Sequence, residues 1–285
     1  MAFEAIGTEW YVGIYEAVEA ERFARLEVEL NSCVETFDKN YSRFRDDSLV
    51  SAIARQSGIY ELPPDAKPMM DLYRELYGLT GELVTPLIGQ ALSDAGYDAE
   101  YSLVPGELRQ PPAWDDVLRY KWPQLHVLQP VLLDFGAAGK GYLVDLVTAV
   151  LELHGVSSYL VDASGDMSVR GPETITIGLE HPNNPEQVIG VARLNNMSLC
   201  GSAGNRRAWS KYNHILSPVT LSSPSGIKAV WVSAASTMLA DVLTTCLSFV
   251  PAAVLADRYQ FEYVTMLEDN SYVSSLGFPA ELFNS

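Results

Sequence analysis

The sequence predicts an α+β fold with a mixed sheet core and packed helices. The 285 residues are 48% hydrophobic and 19% charged, which is the composition of an ordinary globular protein. Apolar residues alternate along residues 3–18 as in a half-buried strand, whereas residues 21–78 contain helical spacing. From residue 131 onward, short strand-like runs follow one another with turn residues between them. Strands and helices therefore both contribute to the fold.

The elements follow from these patterns in chain order. The spacing predicts helices over residues 21–37, 49–56, 65–78 and 142–154. It predicts strands over residues 3–18, 118–121, 125–128, 131–135 and 158–162, with a hairpin between the second and third of these. No repeat or linker marks a boundary. We therefore expect a single domain over residues 1–285, with a helical sub-domain within about 21–115.

The most apolar stretch, residues 229–256, has Asp241 as its only charged side chain. Val230 to Val232 are typical of a strand, Ser236 or Thr237 is suited to cap a helix, and Pro251 ends it. The resulting helix of about 12 to 14 residues is too short to cross a bilayer. The lone carboxylate on it must be exposed, hydrogen-bonded, paired with a cation or bound to a metal.

The negative net charge argues against proteins that bind nucleic acid or anionic membranes. Lys and Arg number 19 against 36 Asp and Glu, a net charge of −17, so most of the surface repels nucleic acid and anionic membranes. We expect no nucleic-acid partner and no membrane insertion.

The N-terminal residues lack the basic and apolar regions of a signal peptide, which favours a cytoplasmic location. The three cysteines are scattered without a CxxC pair, as buried free thiols are.

A glycine-rich segment follows the predicted strand that ends near Asp134. Three glycines permit a tight turn, and Lys140 stands where a helix begins, an arrangement that suits an anion. The spacing is neither GxxxxGK[ST] nor GxGxxG, so by this local pattern alone an ordinary strand-to-helix turn fits equally well.

A basic cluster interrupts the acidic chain. It gathers Arg206, Arg207, Lys211 and His214 with Trp209 and Tyr212 between them. Cations concentrated against the overall charge indicate an anion site, although a solvated loop has the same composition. His214 by itself is typical of a structural histidine as well as of a base.

Asp241 and Thr245 are four residues apart and therefore share one face of the predicted helix. A carboxylate and a hydroxyl are hard oxygen ligands of the kind that Mg²⁺ prefers. Two ligands make a weak motif, and a buried aspartate that caps neighbouring backbone is an equally good explanation.

These segments together resemble the ApbE proteins, which are FAD:protein FMN transferases, along nearly the whole chain. Seven motifs of that family find similar segments here in the same order: AIGTEW, YSRFRDDSLVSAI, TGELVTPLIG, LDFGAAGKGYLVD, LVDASGDM, NHILSP and SAASTMLADVLTT. The resemblance implies a mainly antiparallel, T-fold-related sheet. It also implies an enzyme that uses Mg²⁺ to cleave FAD, attaches FMN to a Thr or Ser of a partner protein and releases AMP.

The resemblance assigns roles position by position. Asp241 and Thr245 match metal ligands, with the Ala137 carbonyl completing the set, and His214 matches a histidine that we expect to act as general base. The positions that match FAD contacts are Ile6, Leu83, Val84, Thr85, Asp134, Lys140 and Leu216.

Several positions depart from the family pattern. Ser217 and Thr85 replace aspartates, Leu221 stands where a glycine is usual, and Ile6 replaces a methionine. These changes favour an FAD-binding protein without transfer as one alternative. An FAD pyrophosphatase that releases FMN and AMP and an assembly protein with an acidic docking face are two others. Retention of the Asp241 and Thr245 pair favours the transferase.

Overall fold

The computed structural model describes residues 1–205 and 207–283. These residues form two compact units: the first contains residues 1–35, 140–205 and 225–283, and the second contains residues 36–139 and 207–224. The predicted single domain with a helical part within about 21–115 stays a prediction. No helix in the described part of the chain combines the length and the apolar character that crossing a membrane requires.

Helices and strands alternate irregularly along the chain, and a short 3₁₀ helix spans Pro86–Ile88. The helices are α1 (Ala20–Tyr41), α2 (Leu49–Arg55), α3 (Ala66–Leu79), α4 (Gly89–Asp94), α5 (Trp114–Val117), α6 (Gly139–Leu153), α7 (Thr237–Leu247) and α8 (Ala252–Ala256). The strands are β1 (Ala2–Ala5), β2 (Thr8–Ile14), β3 (Gly58–Glu61), β4 (Leu118–Lys121), β5 (Gln124–Val127), β6 (Tyr159–Asp162), β7 (Asp166–Arg170), β8 (Ile175–His181), β9 (Asn184–Leu194), β10 (Met197–Ala203), β11 (Ala208–Trp209), β12 (Tyr212–Asn213), β13 (Ile227–Ala234), β14 (Phe261–Leu267), β15 (Tyr272–Ser274) and β16 (Ala280–Leu282).

The first unit contains an eight-stranded sheet in the order β1-β2-β6-β7-β10-β13-β14-β15 and a three-stranded sheet in the order β16-β9-β8. The strand pairs in both sheets are antiparallel. Apolar side chains of β7, β10, β13 and β14 form one buried cluster with those of β8 and β9. Helix α7 packs against β10 and β13. The predicted α+β fold with mainly antiparallel sheets is confirmed.

The second unit is smaller and mainly helical. It contains the three-stranded antiparallel sheet β3-β5-β4 and the short hairpin β11-β12. Aromatic side chains fill much of its interior, with Tyr73 and Trp114 almost fully buried. The predicted hairpin of β4 and β5 is confirmed, and β3 is an additional strand on its edge.

Two predicted strands differ from the structure. Residues 3–18 form two strands, because Ala5 pairs with Thr8 and a two-residue turn at Ile6 and Gly7 reverses the chain. Residues 131–135 have no strand pairing in the described structure, and the Asp134 amide donates instead to the Pro86 carbonyl at 2.7 Å. An apolar run bounded by turn residues fits a buried irregular segment as well as a strand, so periodicity alone could not separate them.

The last apolar stretch forms the predicted strand and helix. Ser236 caps α7, and its Oγ accepts a hydrogen bond from the Leu239 amide at 3.3 Å. A capping oxygen satisfies an amide that has no partner within the helix. The three cysteines are free thiols, with Cys200 and Cys246 buried and Cys33 half-buried.

Candidate functional site

Lys140 lies in the first turn of α6, as the sequence predicts. Its Nζ donates to the Ala163 carbonyl at 2.9 Å and lies 2.7 Å from Asp166 Oδ2. Burial on its own lowers the pKa of Lys140, but the nearby carboxylates of Asp166 and Asp241 outweigh burial and raise it. The lysine is therefore a fixed positive charge inside the first unit.

Asp241 is a buried residue of α7. Its Oδ2 accepts a hydrogen bond from the Gly141 amide at 2.8 Å. Burial raises the pKa of Asp241 well above its usual range and the Asp166 carboxylate raises it further, while Lys140 and the Gly141 amide oppose this shift. The carboxylate thus has one oxygen held by a backbone amide, and its burial favours the protonated form.

Asp166 starts β7, directly after the turn from β6. Gly165 has a φ of 104° and its amide donates to Asp162 Oδ1 at 2.9 Å, which closes the turn. The side chain of Asp166 is only 2% exposed, so its pairing with Lys140 offsets the cost of burying its charge. The glycine in this turn supplies the positive φ that brings Asp166 to the lysine.

Asp134 lies in the second unit and is bound by its own neighbours. Its Oδ2 accepts from Arg43 Nε at 2.5 Å, and its Oδ1 accepts from the Gly136 amide at 2.7 Å. The Arg43 side chain is 3% exposed, so this is a buried ion pair. Asp134 thereby fixes the start of the glycine-rich turn that contains the half-buried Ala137.

An aromatic cluster surrounds the Arg43 guanidinium. Its Cζ lies 4.2 Å from the centre of the Phe44 ring and 4.9 Å from that of Tyr97. The hydroxyl of Tyr97 accepts from Arg207 Nη1 at 2.8 Å, and burial raises the pKa of Tyr97 to about 12. Tyr97 also packs against Trp209 and Tyr101. Cation–π contacts of this kind hold a buried guanidinium in place.

The predicted basic cluster is only partly described. Arg206 lies outside the described residues. Arg207 binds the Tyr97 phenol, and Lys211 Nζ lies 5.3 Å from the centre of the Tyr212 ring. Arg207 is therefore hydrogen-bonded to a phenol, and Lys211 lies over an aromatic ring.

His214 is half-buried in a loop with many internal hydrogen bonds. Its amide donates to the Arg207 carbonyl at 3.2 Å, and the Asn213 side chain accepts from the Ile215 amide at 2.8 Å. Ser217 Oγ accepts from the amides of residues 219 and 220 at 3.3 and 3.2 Å. Serine at 217 therefore makes the local side-chain to backbone bonds that an aspartate can also make.

The remaining predicted FAD contacts are mostly apolar. Ile6 is half-buried in the turn between β1 and β2, and Leu83 is half-buried beside the buried Val84. Thr85 Oγ1 accepts from the Leu87 amide at 3.2 Å and so caps the 3₁₀ helix. Leu216 is buried in the aromatic cluster with Trp209.

The structure thus groups some of the predicted residues. It brings Lys140 and Asp241 together in the first unit, which also contains Ile6 and Thr245. The second unit contains the other predicted site residues: Leu83, Val84, Thr85, Asp134, Ala137, His214 and Leu216. Their roles in binding and catalysis stay predictions.

Sequence reasoning missed the ion pair of Arg43 with Asp134 and the interaction of Asp166 with Lys140. The sequence offered one signal for Arg43, because it is a basic residue next to an aromatic one, Phe44, in an acidic chain. Asp166 belongs to the segment LVDASGDM, but nothing in that segment indicates Lys140 as its partner, because only the fold brings the two residues together. In residues 1–205 and 207–283, no three His, Cys, Asp or Glu side chains are grouped as a metal site would need.

Comparison with known proteins gives the same family as the motifs. A family model described as "ApbE family" matches residues 6–263. A protein of Treponema pallidum named FAD:protein FMN transferase is 25% identical over 278 residues, covering 84% of this chain and 75% of that protein. A protein of the same name from Salmonella typhimurium is 20% identical over 248 residues, covering 76% of this chain and 68% of that protein.

Solved structures share the fold along almost their full length. The flavin transferase ApbE from Vibrio cholerae superposes with a TM-score of 0.79 at 19% identity, covering 98% of this chain and 97% of that one. The ApbE protein from Thermotoga maritima gives a TM-score of 0.85 at 19% identity, covering 99% of both chains.

Proposed function

The chain belongs to the ApbE family, and from this premise we propose that it is an FAD:protein FMN transferase. In the proposed reaction a Thr or Ser hydroxyl of an acceptor protein attacks the phosphorus of the FMN half of FAD. The new O–P bond replaces the pyrophosphate P–O bond, AMP leaves, and the hydroxyl proton passes to a base. The curated relatives bear the name of this activity.

The observation that best supports the proposal is the group formed by the half-buried Lys140 and the buried Asp166 and Asp241. Phosphoryl transfer depends mainly on positioning and on neutralising phosphate charge. Lys140 is fixed by Asp166 and by the Ala163 carbonyl and has its pKa raised, so it stays charged at neutral pH. We assign it to the pyrophosphate of FAD.

Asp241 and Thr245 fit a magnesium site by the chemistry of their donors. Both offer hard oxygens of the kind that Mg²⁺ prefers. Burial and the Asp166 carboxylate raise the pKa of Asp241, and a bound cation would favour its ionised form. Bound Mg²⁺ would neutralise charge on the phosphates. The Ala137 carbonyl is added to the ligand set from the family resemblance.

We assign His214 as the base that takes the acceptor proton. A neutral imidazole suits this role near pH 7, because a hydroxyl is a poor nucleophile until its proton is removed. The internal bonds of residues 213–217 hold the histidine backbone in one conformation. Asp134, Ile6, Leu83 to Thr85 and Leu216 remain the proposed FAD contacts, and a cytoplasmic location remains a prediction.

The test combines purified protein, FAD and Mg²⁺ with a candidate acceptor domain that contains an exposed Thr. AMP release is followed by chromatography and acceptor mass by mass spectrometry. We expect the acceptor to gain the mass of one FMN phosphoester, with one AMP released per acceptor. Asp241→Asn and a chelator should each reduce the rate at least a hundredfold, because a metal ligand or the metal is lost.

Asp257→Asn is the matched control, since Asp257 is an exposed carboxylate after α8 in the same unit. It should keep the wild-type rate. AMP release without acceptor modification for every Thr or Ser domain tried would favour an FAD pyrophosphatase. Tight FAD binding with neither product would favour an FAD-binding protein and contradict the proposal.

A further inference from the structure

Helices α6 and α7 approach each other very closely at Gly141. A Cβ atom at this position would lie 2.4 Å from the Thr237 carbonyl oxygen and 2.6 Å from the Asp241 Cβ. Real Cβ atoms do not come so near to other heavy atoms, so glycine is required here. The same glycine donates its amide to Asp241 Oδ2. The position of α7 on α6 therefore determines where the Asp241 carboxylate lies.

Asp145 makes a second connection between these helices. It follows Gly141 by four residues on α6, so both lie on one helix face. Its Oδ1 accepts from the Thr237 amide at 2.8 Å, and its Oδ2 accepts from the Met238 amide at 2.9 Å. These are the first two amides of α7, which have no acceptor inside their own helix. A carboxylate there also interacts favourably with the helix dipole.

The two bonds constrain the helix more than an ordinary cap does. Ser236 satisfies the Leu239 amide from within the same segment, so it stabilises the helix without tying it to another element. Asp145 belongs to α6 and binds two successive amides of α7, which limits both rotation and sliding of α7. Asp241 and Thr245 lie one and two turns further along that helix.

We propose that Asp145 is a positioning residue, which orients the Asp241 carboxylate and the Thr245 hydroxyl toward a divalent cation by binding the first two amides of α7. This inference rests on the proposed function, because it takes Asp241 and Thr245 as metal ligands. Groups that orient metal ligands typically change metal affinity by about 10- to 100-fold when they are removed.

The test measures metal binding directly, using Mn²⁺ as a spectroscopic probe for the Mg²⁺ site and electron paramagnetic resonance of free Mn²⁺ as the readout. The variant is Asp145→Asn, in which one carboxylate oxygen becomes an amide that cannot accept. The matched control is Ser236→Ala, which removes the other cap of the same helix. We expect Asp145→Asn to weaken Mn²⁺ binding about tenfold or more and Ser236→Ala to change it less than about twofold, with melting temperatures recorded for both.

A second pair of variants keeps the test valid if Asp145→Asn does not fold. Thr237→Pro removes one amide that Asp145 binds, at the first helical position, where proline is tolerated. The preceding Ser236 is extended, as a residue before proline prefers. Thr237→Val keeps the amide and removes the hydroxyl, which donates to Ser198 and also bonds Asp145, so the two variants differ in the amide. Weaker Mn²⁺ binding in the proline variant than in the valine variant supports the proposal.

Equal metal affinity in wild type and Asp145→Asn, or an equal loss in Ser236→Ala, would overturn the positioning role. Failure of the proposed function looks different, because wild-type protein would then not transfer FMN at any Mg²⁺ concentration. In active wild-type protein, the Mg²⁺ concentration for half-maximal rate should rise about tenfold in Asp145→Asn, while saturating Mg²⁺ restores most of kcat. A loss of kcat that Mg²⁺ does not restore would also contradict positioning.

Discussion

Ile6 has a φ of 45°, a left-handed backbone conformation that a β-branched residue adopts only under strain. Gly7 follows with a φ of 74°, and Ala5 pairs with Thr8, so these two residues form the whole turn between β1 and β2. Two-residue hairpin turns with positive φ at both positions favour Asn followed by Gly. Strain of this kind tends to be kept where a side chain has a function, which agrees with the predicted FAD contact at Ile6.

Replacing Ile6 with Asn should therefore stabilise the fold. We expect Ile6→Asn to raise the free energy of unfolding by about 1 kcal/mol, because Asn tolerates the left-handed region. Urea unfolding measures this change, and FAD titration should show weaker binding because an apolar contact is lost. Ile59→Asn is the control, because Ile59 is 65% exposed in β3. Asn at this strand position should not raise the free energy of unfolding. A less stable Ile6→Asn protein would contradict the strain argument.

Residue-level prediction succeeded where the signal is local. The pattern predicts a cap at Ser236 or Thr237, because a hydroxyl residue before an apolar helical run has that role, and the structure has Ser236 as the cap. The pairing of Arg43 with Asp134 could not be predicted, because 91 residues separate them and only the fold brings them together. Leu221 has a φ of 52°, a left-handed backbone conformation that favours glycine, and this conformation was not predicted from the sequence.

The contact of α6 with α7 can be tested with a single methyl group. Gly141→Ala places a Cβ within 2.6 Å of Asp241 and should force the helices apart, at a cost of about 1–3 kcal/mol in the free energy of unfolding. The variant should also lose FMN transfer, because the Asp241 carboxylate shifts with α7. Thermal unfolding and AMP release measure the two effects.

Gly78→Ala is the matched control for this substitution. Gly78 lies in the last turn of α3, and a Cβ there has no heavy atom within 4 Å. Alanine is the better helix former, so this variant should gain up to about 1 kcal/mol and keep its transfer rate. Equal stability of the two alanine variants would show that the close approach at Gly141 does not constrain the helices.

At the scale of helices and strands, elements with a clear hydrophobic periodicity could be predicted from the sequence. Elements that depend on pairing between distant strands could not. Helix α7 and the hairpin of β4 and β5 follow the sequence pattern. Residues 131–135 have the composition of a buried strand, yet the Asp134 amide bonds to Pro86 instead of to a neighbouring strand. Strand pairing depends on which partner lies alongside, and that information is absent from local periodicity.

At the scale of the whole molecule, the acidic character of the chain extends into its interior. The net charge of −17 was readable from composition, and the absence of a nucleic-acid partner that it implies stays a prediction. Composition could not show that several carboxylates are buried or half-buried. Burial raises the pKa values of Asp145, Asp162 and Asp241 above the ordinary 3.8.

These buried and half-buried carboxylates should make the free energy of unfolding depend on pH. Where the folded protein has the higher pKa, it retains a proton that the unfolded chain has already released. Each such group therefore contributes less stability as the pH rises from about 3.8 through its folded pKa. We expect the stability of metal-free wild type relative to Asp241→Asn to fall as the pH rises from 4 to 8, because the variant lacks the largest of these shifts.

Thermal unfolding of both proteins in a chelator, at fixed ionic strength and across this pH range, measures the difference. Asp257→Asn, which removes one exposed charge, should follow wild type and so accounts for the change in net charge. Mg²⁺ should restore part of the stability that wild type loses at the higher pH, because a cation favours the ionised carboxylate, and it should have little effect on Asp241→Asn. Parallel curves for wild type and Asp241→Asn would mean that Asp241 titrates alike in the folded and unfolded chain, which its burial does not allow.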